Sequence, residues 1–256
     1  MSEAAQLAAG IEALGGPGLV ACAVWIGAGG APDCALAPEE ASAMARAVPA
    51  RRAEFAAGRC AARRAMQRLG QAAQPVPMRP DRSPHWPEGL RGSISHEAGL
   101  AVAALRLGGA AFGIDIAPAA PLDRDLHDEI AAPGELDQPV PGFDRGMIAR
   151  LVFSAKEAAY KAQFPESGLV LGFEAMRVEI TAAGPAGGGL VARLARPAGP
   201  YGAGTAFRGG WRRIGARFAV LMQAPASAAE GCRPGFALRN TASRGRARMA
   251  SRDGVS

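Results

Sequence analysis

The chain has 256 residues, 49% of them apolar, which excludes a disordered or fibrous protein and leaves room for one large domain or two of about 100–130 residues. Its net charge of +6 and pI near 9.8 point to an acidic partner, though about +4 of that charge lies in the last eighteen residues, from Arg239 to Arg252 against Asp253. Cys22, Cys34, Cys60 and Cys232 are scattered, without a CxxC pair or histidines at zinc-site spacing, so neither a disulfide framework nor a zinc site is expected. With no signal-like N-terminus and no run of about 18 apolar residues, a soluble cytoplasmic protein is expected.

In chain order, residues 1–15 read as a short helix and Leu19 to Ile26 as a buried strand. Glu39 to Leu69 reads as two helices parted near Val48-Pro49, alanine- and arginine-rich, stopped by Gly70. Residues 71–91 form an irregular loop, and Ser93 to Ser95 a helix-free turn. Leu100 to Leu107 and Ala111 to Ile116, parted by Gly108-Gly109, read as a β-hairpin. A helix is expected over Leu122 to Ala131 and a longer one over about Asp144 to Ala162. Strands follow at Met176–Ile180, Leu190–Leu194, Gly204–Trp211 and Arg217–Gln223. From Ala226 onward the composition predicts a disordered basic tail.

The basic residues are unevenly chosen. Of 29, only Lys156 and Lys161 are lysines, and both lie in the run Phe153-Ser154-Ala155-Lys156-Glu157-Ala158-Ala159-Tyr160-Lys161. Lysine is a compact, flexible point charge, whereas arginine is a planar fork that stays charged. On a helix Glu157 and Lys161 are i,i+4 neighbours, so one face offers a carboxylate and an ammonium. The alternative is an ordinary surface pair of about 0.3–0.5 kcal/mol.

Four segments call for one explanation: Arg51-Arg52-Ala53-Glu54-Phe55 running on to Arg63, Gly92-Ser93-Ile94-Ser95-His96, Gly113-Ile114-Asp115-Ile116, and the lysine run. In this order and spacing the set resembles the 4′-phosphopantetheinyl transferases, most closely the enterobactin synthetase component D type, over roughly residues 45–225. Trp86-Pro87 and Ala132-Pro133-Gly134-Glu135 add to the resemblance.

The resemblance implies an α+β pseudo-dimer of two similar halves, 1–118 and 119–225, with the cofactor in the cleft between them and a tail at 226–256. It implies transfer of the phosphopantetheine arm of coenzyme A to a serine of an acidic apo carrier protein, with Mg²⁺, releasing 3′,5′-ADP, in siderophore or other non-ribosomal peptide synthesis. Asp115 and Glu157 would hold the metal, a fitting pair for a hard cation that takes one or two carboxylates. Glu157, Lys161 and Lys156 would be catalytic. Arg52, Arg59, Arg63, Arg82, Ser95, His96, Asp115 and Lys161 would hold coenzyme A. Many members carry a carboxylate two residues after the aspartate of this motif, where this chain has Ala117. A monomer is expected, without nucleic acid or membrane. The alternatives are a catalytically weakened coenzyme A-binding relative and a basic nucleic-acid-binding protein. The scarcity of aromatics and of recognition motifs speaks against the latter.

Overall fold

The computed structural model describes residues 1–26 and 34–225; the predicted tail lies outside them. Mixed helix and sheet confirm an α+β protein. Helix α1 (Glu3–Gly15) starts where the Ser2 hydroxyl accepts the Ala5 N–H and ends at Gly16, whose φ of 73° a side chain would resist. Strand β1 (Val20–Trp25) leads to a short helix α2 (Pro38–Ala41), a 3₁₀ turn at Ser42–Met44, and α3 (Pro49–Arg68), which begins with proline at its first position.

Strands β2 (Leu90–Glu97) and β3 (Leu100–Leu107) form an antiparallel sheet with β1, in the order β1-β3-β2. Strand β4 (Phe112–Pro118) pairs instead with β8 (Arg217–Gln223), at the edge of a second sheet ordered β4-β8-β7-β6-β5. Its other members are β5 (Met176–Gly184), β6 (Gly187–Leu194) and β7 (Ala206–Ile214). Two expectations are thereby corrected. Ser93–Ser95 lies within a strand rather than a turn, and the run after Gly108-Gly109 leaves β3 for the other sheet instead of closing a hairpin. Two glycines at positive φ, 57° and 76°, let the chain swing away between the two runs.

The 122–131 segment is more broken than expected, a 3₁₀ turn at Arg124–Leu126 followed by α4 (His127–Ile130). Helix α5 (Arg145–Ser167) is longer than expected. It starts where the Asp144 carboxylate accepts the Met147 N–H at 2.8 Å, passes through Pro165 and stops at Gly168 in the left-handed conformation.

Three apolar clusters share the two sheets. Helix α3 covers β1–β3 with small side chains such as Ala61, Ala62 and Ala65. Helix α1 packs Leu7 and Ile11 with Ile114 and Leu221. Helix α5 packs Leu151, Val152 and Ala158 with Phe207, Trp211 and Phe218 on the five-stranded sheet. In the first cluster Cys34 and Cys60 are joined as a disulfide, which corrects the expectation that no such bond is present. Their separation of 26 residues gave no spacing motif to read.

Candidate functional site

Strands β2 and β4 meet through side chains. The Ser93 hydroxyl accepts the Ile114 N–H at 3.0 Å, and that of Ser95 accepts the Ile116 N–H at 3.2 Å. Alternation along β2 puts both serines on this side and Ile94 on the other, against Gly58 of α3. The serines thus supply acceptors to a strand edge that would otherwise lack them. Glycines set two close approaches: a Cβ on Gly92 would sit 2.7 Å from the Trp86 ring, and one on Gly113 would sit 2.0 Å from the Ala158 carbonyl. The second contact lays β4 directly on α5.

That approach buries Asp115 among donors. Its Oδ1 accepts from the Lys161 ammonium at 2.8 Å and the Ser95 hydroxyl at 2.9 Å, and its Oδ2 from the Ser154 hydroxyl at 2.7 Å. Lys161 also reaches the Ile114 carbonyl at 3.1 Å. Glu157, one helical turn before Lys161, has its carboxyl pushed up chiefly by burial; the Lys161 charge opposes this and the Asp115 charge adds to it. The two proposed metal carboxylates and Lys161 therefore share one field. Among the described residues no three or more His, Cys, Asp or Glu side chains converge on a point, and Ala117 is buried without an oxygen to offer.

Beside this cluster, Arg51 on the first turn of α3 donates to His96 Nε2 at 2.9 Å and to Glu54 at 3.2 Å. The His96 ring is held below its usual value, mainly by burial, with the charges of Arg51 and Lys161 acting the same way and Glu54 opposing. The ring is therefore neutral at pH 7. Arg51 is not among the residues expected to hold coenzyme A; its contact with His96 needed the fold. Arg52 is exposed on the same turn. Arg82, also exposed, sits at φ 70° in a tight turn closed by the Arg79–Ser83 and Arg82–Arg79 backbone bonds. The Tyr160 phenol is pushed up by burial first, then by the charges of Glu157 and of Asp81 in that turn.

A cavity of about 180 Å³ opens on the other side of Glu157, walled by Lys156, Tyr160, Leu171, Gly172, Phe173 and Met176.

Four expected site residues turn inward instead. Arg59 lies over the Phe55 ring at 3.7 Å and donates to the Val76 carbonyl, and burial pulls its guanidinium down to about 10. Arg63 grips both oxygens of Glu40 at 2.8 and 2.9 Å and donates to the Ala35 carbonyl. Glu40 is fully buried and also accepts the Ala37 and Val76 N–H groups. These contacts make both arginines part of the packing around α3, Arg59 through Val76 and Phe55 and Arg63 through Glu40 and Ala35. Ser95 is committed to β4 and Asp115, as above. Lys156, 3% exposed, donates to the Ile130 carbonyl at 2.8 Å and to Glu135 and the Phe173 carbonyl at 3.0 Å. All three of its protons are in use.

A buried strand carboxylate beside a carboxylate and an ammonium on a helix is a setting suited to phosphate chemistry, and comparison with known proteins gives the class, a transferase. Residues 39–106 match the family model for the 4′-phosphopantetheinyl transferase N-terminal domain, and residues 111–195 that for the 4′-phosphopantetheinyl transferase superfamily. The chain belongs to this superfamily, whose members transfer the phosphopantetheine arm of coenzyme A to carrier proteins. It is 37% identical over 216 residues to the 4′-phosphopantetheinyl transferase Svp of Streptomyces mobaraensis, covering 78% of this chain and 83% of that protein. It is 41% identical over 145 residues to the 4′-phosphopantetheinyl transferase PptT of Mycobacterium tuberculosis, covering 54% and 62%. Enterobactin synthase component D of Salmonella typhimurium is 35% identical over 139 residues, covering 50% and 54%. Among the described residues no helix is long and apolar enough to cross a membrane.

Proposed function

We propose that the chain moves the 4′-phosphopantetheine arm of coenzyme A onto a carrier-protein serine at the β4–α5 junction, with Mg²⁺ held by Asp115 and Glu157. The observation that carries this reading is the Asp115 carboxylate, buried among Lys161, Ser95 and Ser154 while its charge raises Glu157 beside it.

The donor set fits the ion. Mg²⁺ takes one or two protein carboxylates and fills its other positions with water and substrate phosphate. Asp115 accepts three bonds, short of the roughly four a carboxylate can take. Two like charges close enough to raise one carboxyl are what a cation would neutralise. With Ala117 in place of a third carboxylate, the ion would keep an additional water. When bound, it would neutralise pyrophosphate charge and orient the phosphorus for attack.

The chain's own residues supply the rest. Glu157, with its carboxyl raised, takes the proton of the carrier serine as that oxygen bonds to the phosphorus of the arm. The bond from that phosphorus to the bridging oxygen of 3′,5′-ADP then breaks. Lys161, 27% exposed and flexible, trades its contact with Asp115 for the oxygen that gains charge on the leaving group. Arg51 and His96 receive the terminal phosphate, with Arg52 and Arg82 available on the rim. The apolar wall of the cavity beside Glu157 takes the pantetheine arm, an amphipathic thread with a geminal dimethyl group. We assign the enzyme to an acidic carrier of siderophore or other non-ribosomal peptide synthesis, and read it as acting as a monomer because one chain supplies every group named.

The test is to incubate the protein with coenzyme A, Mg²⁺ and apo peptidyl, aryl and acyl carriers, and to read the intact carrier mass. A gain of one phosphopantetheine, lost when the metal is chelated and restored by Mg²⁺, is expected. Transfer that persists after chelation would remove the metal from the reading.

A further inference from the structure

Lys156 lines the cavity beside Glu157, yet its ammonium is spent within the protein, and its partner Glu135 is equally hidden. The Glu135 carboxylate also accepts the Ala132 N–H at 2.8 Å and the Val178 N–H at 2.6 Å. One buried ion pair therefore ties together four pieces of chain: the linker at Ile130–Glu135, helix α5, the 3₁₀ turn at Phe173–Ala175 and strand β5. Gln138 extends the seam, donating to the Val178 carbonyl and accepting the Ile180 N–H. The pieces joined include those that wall the cavity, since Phe173 and Met176 belong to the 3₁₀ turn and β5, and Glu157 to α5.

The residue types follow from the geometry. An ammonium directs three protons to three separate acceptors, two carbonyls and a carboxylate, which a planar guanidinium cannot match. A buried carboxylate is tolerable only when its oxygens are paired, as both are here, Oε2 with Lys156 and the Ala132 N–H and Oε1 with the Val178 N–H. The sequence keeps one of its two lysines for this position.

We infer that Glu135 is a positioning residue: acting through Lys156 and Val178, it holds the apolar wall of the cavity at the spacing from Glu157 that the pantetheine arm requires. This rests on the reading that the arm lies in the cavity. Lys156 is then part of the same device and not a phosphate ligand.

The experiment compares dissociation constants of coenzyme A and of 3′,5′-ADP, which has the nucleotide and lacks the arm, by calorimetry in one magnesium buffer. The wild type is expected to bind coenzyme A more tightly. Glu135→Gln places an amide among N–H donors, and Lys156→Gln removes the ammonium. Each is expected to weaken coenzyme A about ten- to hundredfold, the loss that follows a broken charged hydrogen bond, while 3′,5′-ADP changes less than about twofold. KM for coenzyme A should rise more than kcat falls. Equal weakening of both ligands, or unchanged affinity for coenzyme A, overturns the inference. A wild type with no preference for coenzyme A removes the arm-in-cavity reading and the inference with it. If Glu135→Gln does not fold, Lys156→Arg serves, since it keeps the charge and the reach to Glu135 but cannot meet both carbonyls. It should show the same coenzyme A-selective loss at smaller size, and full retention of affinity overturns the proposal.

Discussion

Two clusters of buried charge in this protein look alike on paper and differ in what they have left over. Around α3, Glu40 receives four hydrogen bonds from Arg63, Ala37 and Val76, and Arg59 is sandwiched between Phe55 and the Val76 carbonyl. At the β4–α5 junction, Asp115 accepts three bonds, and its neighbours are unsettled: Glu157 is pushed up by burial and by Asp115, and Lys161 is partly open to solvent. The first cluster pairs its carboxylate fully with groups of the chain and holds the chain together. The second has a surplus of negative charge and a movable cation, which a metal and a pyrophosphate would complete.

Removing the carboxylates at the junction should give the largest effect. Glu157→Gln is expected to lower kcat/KM about 10²–10⁴-fold, the range for a lost general base, and Asp115→Asn by at least as much, with coenzyme A still bound through the basic end. Single-turnover transfer to an apo carrier measures both. If Asp115→Asn transfers at the wild-type rate, the junction is not the site.

The α3 cluster should respond in stability instead. Glu40→Leu leaves the Arg63 guanidinium and two N–H groups without their acceptor, so urea unfolding should show a loss of about 3–5 kcal/mol, the usual cost of breaking a buried pair. Molecules that remain folded should keep the wild-type kcat/KM. A large fall in turnover at unchanged stability would move this cluster into the site and erase the contrast.

This contrast explains how far the sequence could be read. Helices α1, α3 and α5 announce themselves by composition, and Asp115 and Glu157 stand out by their motif spacing. The packing contacts of Arg59 and Arg63 were not legible, because a sequence shows that an arginine is near a motif, and not that Glu40 or the Val76 carbonyl lies within its reach. The contacts of Lys156 were hidden in the same way, since Glu135 and the two carbonyls it meets are brought in from elsewhere. Strand β4 was mispaired because hydrophobic runs at hairpin spacing do not reveal which sheet a strand joins; the serines of β2, facing Ile114 and Ile116, carried that information. The Cys34–Cys60 bond was equally invisible, as two distant cysteines meet only once α3 is packed.

Lys161 separates charge from shape within the junction. Lys161→Arg keeps the charge but replaces a flexible point with a rigid fork that must fit between Asp115 and the Ile114 carbonyl. Turnover should fall about tenfold, and about a hundredfold for Lys161→Met, in line with removing one donor to a developing oxyanion. Equal rates for Lys161→Arg and the wild type would mean that only the sign of the charge matters there.

The smallest effect expected is one of pH at the basic end. Burial, helped by Arg51 and Lys161, holds the folded His96 ring below the value of about 6.5 that it has in an unfolded chain. Between those two values the unfolded chain binds the additional proton and the folded one does not, so stability without ligand should fall as pH drops through 6.5 and level off below the folded value. His96→Gln should flatten that part of the profile while leaving the α3 clamp intact. A phosphate placed against Arg51 and His96 reverses the balance, since its negative charge favours the protonated ring. Coenzyme A binding near pH 6 should therefore take up protons, read as a dependence of the calorimetric heat on the ionisation enthalpy of the buffer. Proton uptake that survives in His96→Gln would mean that the terminal phosphate lies elsewhere, and the basic end at Arg51 would then be a surface feature like the rest of the arginine coat.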